Sequence, residues 1–132
     1  MTAMSEAVRD LFERYHACWA DRDPDRIAAL HAPDSIFHLH SGGKPARGRA
    51  EIRAAAAANF ALVPDLTFEL VNLRVGDDFW TVQWTLTGTS VVGNPVDVDI
   101  MDLVLVADGE VLEKHTYVDG VAMQAALTPP AV

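Results

Sequence analysis

Apolar positions along the chain divide it into a helical first half and a strand-rich second half. Val8, Leu11, Phe12, Tyr15, Cys18 and Trp19 recur at three- and four-residue steps, predicting a helix over Ser5–Ala20 with one buried stripe. Asp23-Pro24 offers an N-cap followed by proline at the first helical position, so a short second helix is expected through about His31, ended by Pro33 and Asp34. Residues 35–40 alternate, placing Phe37 and Leu39 on one face of a strand and Ile36, His38 and His40 on the other. Ser41-Gly42-Gly43-Lys44-Pro45 reads as loop. A five-alanine run with Ile52, Ala56 and Phe60 on one stripe predicts a third helix over Gly48–Leu62, stopped by Pro64 and Asp65.

From Leu66 to Asp119 the pattern changes to runs rich in Val, Leu, Thr, Phe and Trp. They are separated by turn residues at Gly76-Asp77-Asp78, Gly93-Asn94-Pro95 and Ala107-Asp108-Gly109. This is a four-strand meander. In its second strand Trp80, Val82, Trp84 and Leu86 share one face, and Thr81, Gln83, Thr85 and Thr87 the other. From Ile100 to Val106 both faces are apolar except at Asp102, so both must be covered; helices cover one, and a second copy packed through the convex sheet face is expected on the other, making a homodimer. Asp97 and Asp99 alternate with Val96 and Val98 as a solvated face. A short amphipathic segment, 121–127, precedes a tail at about 128–132. The class is α+β: a curved, mixed but mostly antiparallel sheet wrapped around three N-terminal helices, as one domain spanning 1–132.

Composition narrows the partners. A chain of 132 residues with half its positions apolar builds a single core without a metal or disulfide. Its net charge of −9 supplies no basic cluster for phosphates or anionic membrane. One cysteine, no charged-then-apolar leader and no long apolar run together point to a cytoplasmic protein.

Three segments resemble the SnoaL-like branch of the nuclear transport factor 2-like superfamily: the opening FERYHACWADRDPDRIAALHAPDSIF, the loop-to-helix GGKPARGRAEIRA and the closing DGEVLEKHTYVDGVAM. The resemblance implies a cone-shaped α+β fold with an internal pocket for a small hydrophobic molecule, and no cofactor. Members include isomerases, cyclases, hydrolases, dehydratases and binding domains, so each position is weighed separately. By likeness to the ketosteroid isomerases of this fold, Tyr15 matches a helix tyrosine and Asp102 a late acid, whereas Leu39 falls where those enzymes carry their base. The Arg-x-Asp machinery of limonene epoxide hydrolase is absent: Gln83 and Thr85 stand in the middle strand, and Thr116 in the last.

Among apolar neighbours Asp102 must find a partner; it is either a hydrogen-bonding group of the pocket, with Tyr15 beside it, or a structural carboxylate. Tyr15 itself is either a site residue or an inward-facing core tyrosine. His40, reaching over the rim, or His115 is the candidate base, because histidine titrates near neutrality. His38 and His40 share a face but show no third ligand in the sequence, so no metal site is expected; Asp119 is near the last strand without an assigned role. Trp19, Phe37, Leu39, Phe60, Trp84 and Thr116 are the expected substrate contacts, the aromatics among them, like Trp80, being equally suited to filling a core. Two functions follow: proton transfer on a small hydrophobic or polycyclic carbonyl compound, of isomerase, cyclase or dehydratase type, or non-catalytic binding in the same pocket.

Overall fold

The computed structural model describes residues 2–131. The first helix, α1 (Ala3–Ala20), starts at Thr2, whose hydroxyl accepts from the Ser5 amide in a capping box, and it buries the stripe from Val8 to Trp19. Asp23 caps α2 (Pro24–Ala29) through the Arg26 amide. That helix ends two residues before the expected His31. The Leu30 carbonyl already accepts the Val111 amide at 2.9 Å, drawing the chain into the sheet. Strand β1 therefore runs over His31–His40, and Pro33 and Asp34 are exposed inside a bulge rather than ending a helix. The two-residue β2 (Ala46–Arg47), between the expected loop and helix, pairs with Ile36 and Phe37 and leads into α3 (Gly48–Leu62), which buries Ile52 and Ala56.

The meander is β3 (Thr67–Val75), β4 (Phe79–Thr89), β5 (Pro95–Ala107) and β6 (Glu110–Val118), followed by α4 (Gly120–Leu127). The sheet order is β2-β1-β6-β5-β4-β3, with β1 parallel to β6 and every other pair antiparallel. It is a curved, unclosed sheet with helices on its concave side. Trp80, Val82, Trp84 and Leu86 of β4 face inward with Val96, Val98, Ile100, Asp102, Val104 and Val106 of β5. Phe12 and Tyr15 of α1 meet the Trp80 ring with centroids 5.4 and 5.9 Å apart, tying helix to sheet. Asp97 and Asp99 lie on the exposed side of β5, as the alternation predicts. No helix among the described residues is long and apolar enough to cross a membrane.

One irregularity matters for chemistry. Leu105 opposes Glu113 and Val106 opposes Val111, so Leu112 is an extra residue in β6. Strict alternation from the buried Val111 would turn Lys114 outward; the bulge resets the alternation, and Lys114 and Thr116 face inward.

Candidate functional site

Between the concave sheet face, α1, α3 and α4 lies a cavity of about 790 Å³, within the usual size range of small-molecule sites. Its wall is mainly apolar, including Trp19, Phe37, Leu39, Phe68, Ile100 and Met123, with Val121 on α4 exposed among the lining residues. Cross-strand register puts its polar groups in two adjacent rows. Leu39 stands beside Thr116 and Thr116 beside Asp102; one step along, Phe37 stands beside Lys114 and Lys114 beside Val104.

Asp102 is 5% exposed, and its Oδ1 accepts the Thr116 hydroxyl at 2.6 Å. The partner that buried position demands is thus Thr116 rather than Tyr15. Lys114 is 6% exposed and makes no ion pair among the described residues. Its Nζ lies 4.2 Å from the Trp19 ring centroid, 4.9 Å from that of Tyr15 and 5.2 Å from that of Phe37. These faces stabilise a cation. Burial nevertheless lowers the Lys114 pKa, and the neighbouring Asp102 charge opposes that shift.

Tyr15 lies behind Lys114 and does not line the cavity. Its hydroxyl accepts from Lys114 Nζ at 3.4 Å and meets His31 Nε2 at 2.8 Å. His31 Nδ1 meets Ser35 Oγ at 2.9 Å, and Ser35 donates to the Leu112 carbonyl at 3.0 Å. One assignment of hydrogens satisfies the whole chain: ammonium to phenol, phenol to Nε2, Nδ1–H to serine, serine to carbonyl. It requires a neutral His31, and burial, aided by the Lys114 and Arg49 charges, brings the His31 pKa down from 6.5 to about 3. Burial likewise raises the Tyr15 pKa and keeps the phenol protonated. Tyr15 thus touches Lys114 rather than the cavity.

His16, on the cavity wall, stacks on Trp84 with centroids 3.8 Å apart. Burial and the Lys114 charge lower its pKa to about 3, so it is a neutral imidazole. The indole N–H of Trp19 has no hydrogen-bond partner among the described residues. Asp119 lines the cavity while capping α4 through the Ala122 amide.

Of the expected contacts, Trp19, Phe37, Leu39, Thr116 and Asp102 line the cavity together. Phe60 and Trp84 do not; Phe60 packs on Trp19, and Trp84 lies behind His16. His40 does not line it either. The alternation of β1 sends it to the opposite face of the sheet, where it stacks on Tyr117 and meets His115, so it cannot serve as a base over this cavity. The third imidazole not evident in the sequence is there too: β1–β6 pairing sets His38 beside His115. Lys114 and His16 are the functional candidates that sequence reasoning missed; a buried lysine shows no alternation signal once a bulge has reset the strand.

The SnoaL-like domain family matches residues 12–114, most of the chain. The chain belongs to the SnoaL-like family. Solved structures with this fold include a protein of Jannaschia sp. CCS1 described as a SnoaL-like polyketide cyclase. It is 23% identical, with 99% of this chain and 98% of that chain covered and a TM-score of 0.89. TerC, co-crystallised with polyporic acid, is 20% identical over 92% of this chain and 98% of that chain, with a TM-score of 0.82. A protein of Catenulispora acidiphila DSM 44928 with a ketosteroid isomerase-like fold, in complex with trimethylamine, is 19% identical over 91% of this chain and 93% of that chain, with a TM-score of 0.81. No curated protein sequence matches the chain. Within this SnoaL-like chain the structural likeness runs from the helices through the sheet.

Proposed function

We propose that this SnoaL-like chain is an enzyme that moves a proton on a small, mostly apolar carbonyl compound held in the cavity. The observation that carries this reading is that Asp102 and Lys114, both buried, line the wall of one mainly apolar cavity. An unpaired buried ammonium is costly, and a ligand oxygen acquiring negative charge would relieve that cost. Asp102 takes the proton from the carbon beside the carbonyl, Lys114 donates to the enolate oxygen as charge develops there, and Asp102 returns the proton to the same or another carbon. Thr116 holds the carboxyl group, and Tyr15 holds the ammonium. The mainly apolar walls lower the local polarity, which strengthens both interactions.

The test uses two probes. Polyporic acid, the compound crystallised with TerC, reports binding through tryptophan fluorescence, since Trp19 lines the cavity. A bicyclic ketone, 2-tetralone, in D₂O reports proton transfer through loss of its α-hydrogen signals by NMR. The protein is expected to accelerate exchange, and Asp102→Asn to slow it by about 10²-fold or more while probe binding persists. Exchange no faster than buffer, despite binding, overturns catalysis. It would favour the second reading, a binding domain, which one observation supports: Leu39, which cannot titrate, lines the cavity where the ketosteroid isomerase resemblance places a base.

The same proposal includes a homodimer through the convex sheet face. Met101 and Tyr117 are exposed and directly opposite each other across β5 and β6, next to the exposed Leu103, so they form a continuous apolar patch. Light scattering at micromolar concentration is expected to give twice the chain mass, and Leu103→Lys to reduce it to one. A monomeric parent protein overturns the dimer.

A further inference from the structure

On the face opposite the cavity, His38 and His40 of β1 and His115 of β6 bring one ligating nitrogen each to within 4.8 Å of one another. We propose that these three histidines form a divalent metal site, of the kind that takes Zn²⁺, with a fourth position left to a ligand from outside the three. Two ligands two residues apart on one strand point the same way, and a neighbouring strand in register adds the third. The pairing of β1 with β6 continues through the site, His38 beside His115 and His40 beside Tyr117, and β6 is paired on its other side with β5.

The distances fit. His40 Nε2 and His115 Nδ1 already stand 2.9 Å apart. Metal–nitrogen bonds of 2.0–2.1 Å at tetrahedral angles need nitrogens about 3.3 Å apart, so side-chain rotation alone accommodates an ion. Two further contacts hold the rings in place. Tyr117 stacks on His40 at 4.2 Å and 5°. The remaining nitrogen of His115, Nε2, meets the Glu113 carboxylate at 3.2 Å. A carboxylate taking the outer N–H of a metal-bound histidine orients the ring and raises its basicity, and His115 has that arrangement already. Three imidazoles suit zinc, copper or nickel and give a hard cation such as Ca²⁺ no oxygen cage.

The experiment is isothermal titration of the full, untagged chain with Zn²⁺ alone, paired with visible absorption of the Co²⁺ form. One Zn²⁺ per chain and the visible absorption bands of four-coordinate Co²⁺ are expected, with no uptake of Ca²⁺ at the same concentration. Glu113→Gln is expected to weaken zinc binding by roughly 10- to 100-fold, and His40→Ala or His115→Ala by more than that. Circular dichroism of each variant without metal separates ligand loss from unfolding. The proposal is overturned by no stoichiometric uptake, by uptake unchanged in both histidine variants, or by one Zn²⁺ per two chains.

Discussion

Between pH 7 and pH 5 the folded chain is expected to lose about 4 kcal/mol of stability, a large share of the 5–15 kcal/mol usual for a domain. His16 and His31 are the cause. Both are neutral in the fold, with pKa values brought down to about 3, chiefly by burial and secondarily by the Lys114 charge. Unfolding returns each to about 6.5. Below that value the unfolded chain binds two protons that the folded chain refuses, so stability is complete above pH 6.5 and falls as the pH drops toward 3. At pH 5 each histidine contributes about 1.5 pH units of unequal protonation, or about 2 kcal/mol. Urea unfolding at the two pH values reads the effect directly as a lower midpoint at unchanged slope. His31→Gln, which keeps polar atoms toward Tyr15 and Ser35, is expected to remove about half of the pH dependence. Equal midpoints at pH 7 and 5 in the parent chain would mean that these imidazoles reach protons without unfolding.

Replacing Lys114 with methionine is expected to slow α-hydrogen exchange sharply while leaving the fold at least as stable. The ammonium sits on aromatic faces with no carboxylate paired to it, so the fold bears its desolvation. Methionine fills much the same volume without that cost. Catalysis suffers instead: losing a charged donor at an enolate oxygen lowers turnover by about 10²- to 10³-fold. Because the Lys114 charge also depresses His16 and His31, the variant should show a shallower loss of stability in acid. Thermal unfolding, exchange rates and the acid profile of one protein therefore answer together. A less stable variant with undiminished exchange would remove Lys114 from the site.

Most of the cone was legible in the sequence because its elements obey single periods. The α1 stripe, the inward tryptophans of β4 and the inward position of Asp102 on β5 all follow from spacing of three to four or of two. What was hidden came from irregularities and from distance along the chain. Pro33 reads as the end of a helix, yet it sits in a bulge of a strand already paired to β6. Leu112 looks like an ordinary strand residue, and nothing local marks it as the extra one that turns Lys114 inward. Tyr15 reads as inward-facing and as the partner of Asp102; it does face inward, but its hydroxyl meets His31 and Lys114 instead. His115 joins His38 and His40 only through the parallel pairing of strands some 75 residues apart, a separation no window along the chain can span.

The extra residue in β6 also affects how the chain tolerates change in length. Its carbonyl accepts from Ser35, which anchors the line of donors leading back to the ammonium. With slack already located there, a residue lost or gained near the β5–β6 turn can be absorbed before it reaches position 114. A residue lost farther along, between 115 and 118, has no such buffer, and would reverse the sides of the strand beyond it. The same hairpin is thus forgiving at its tip and intolerant at its base.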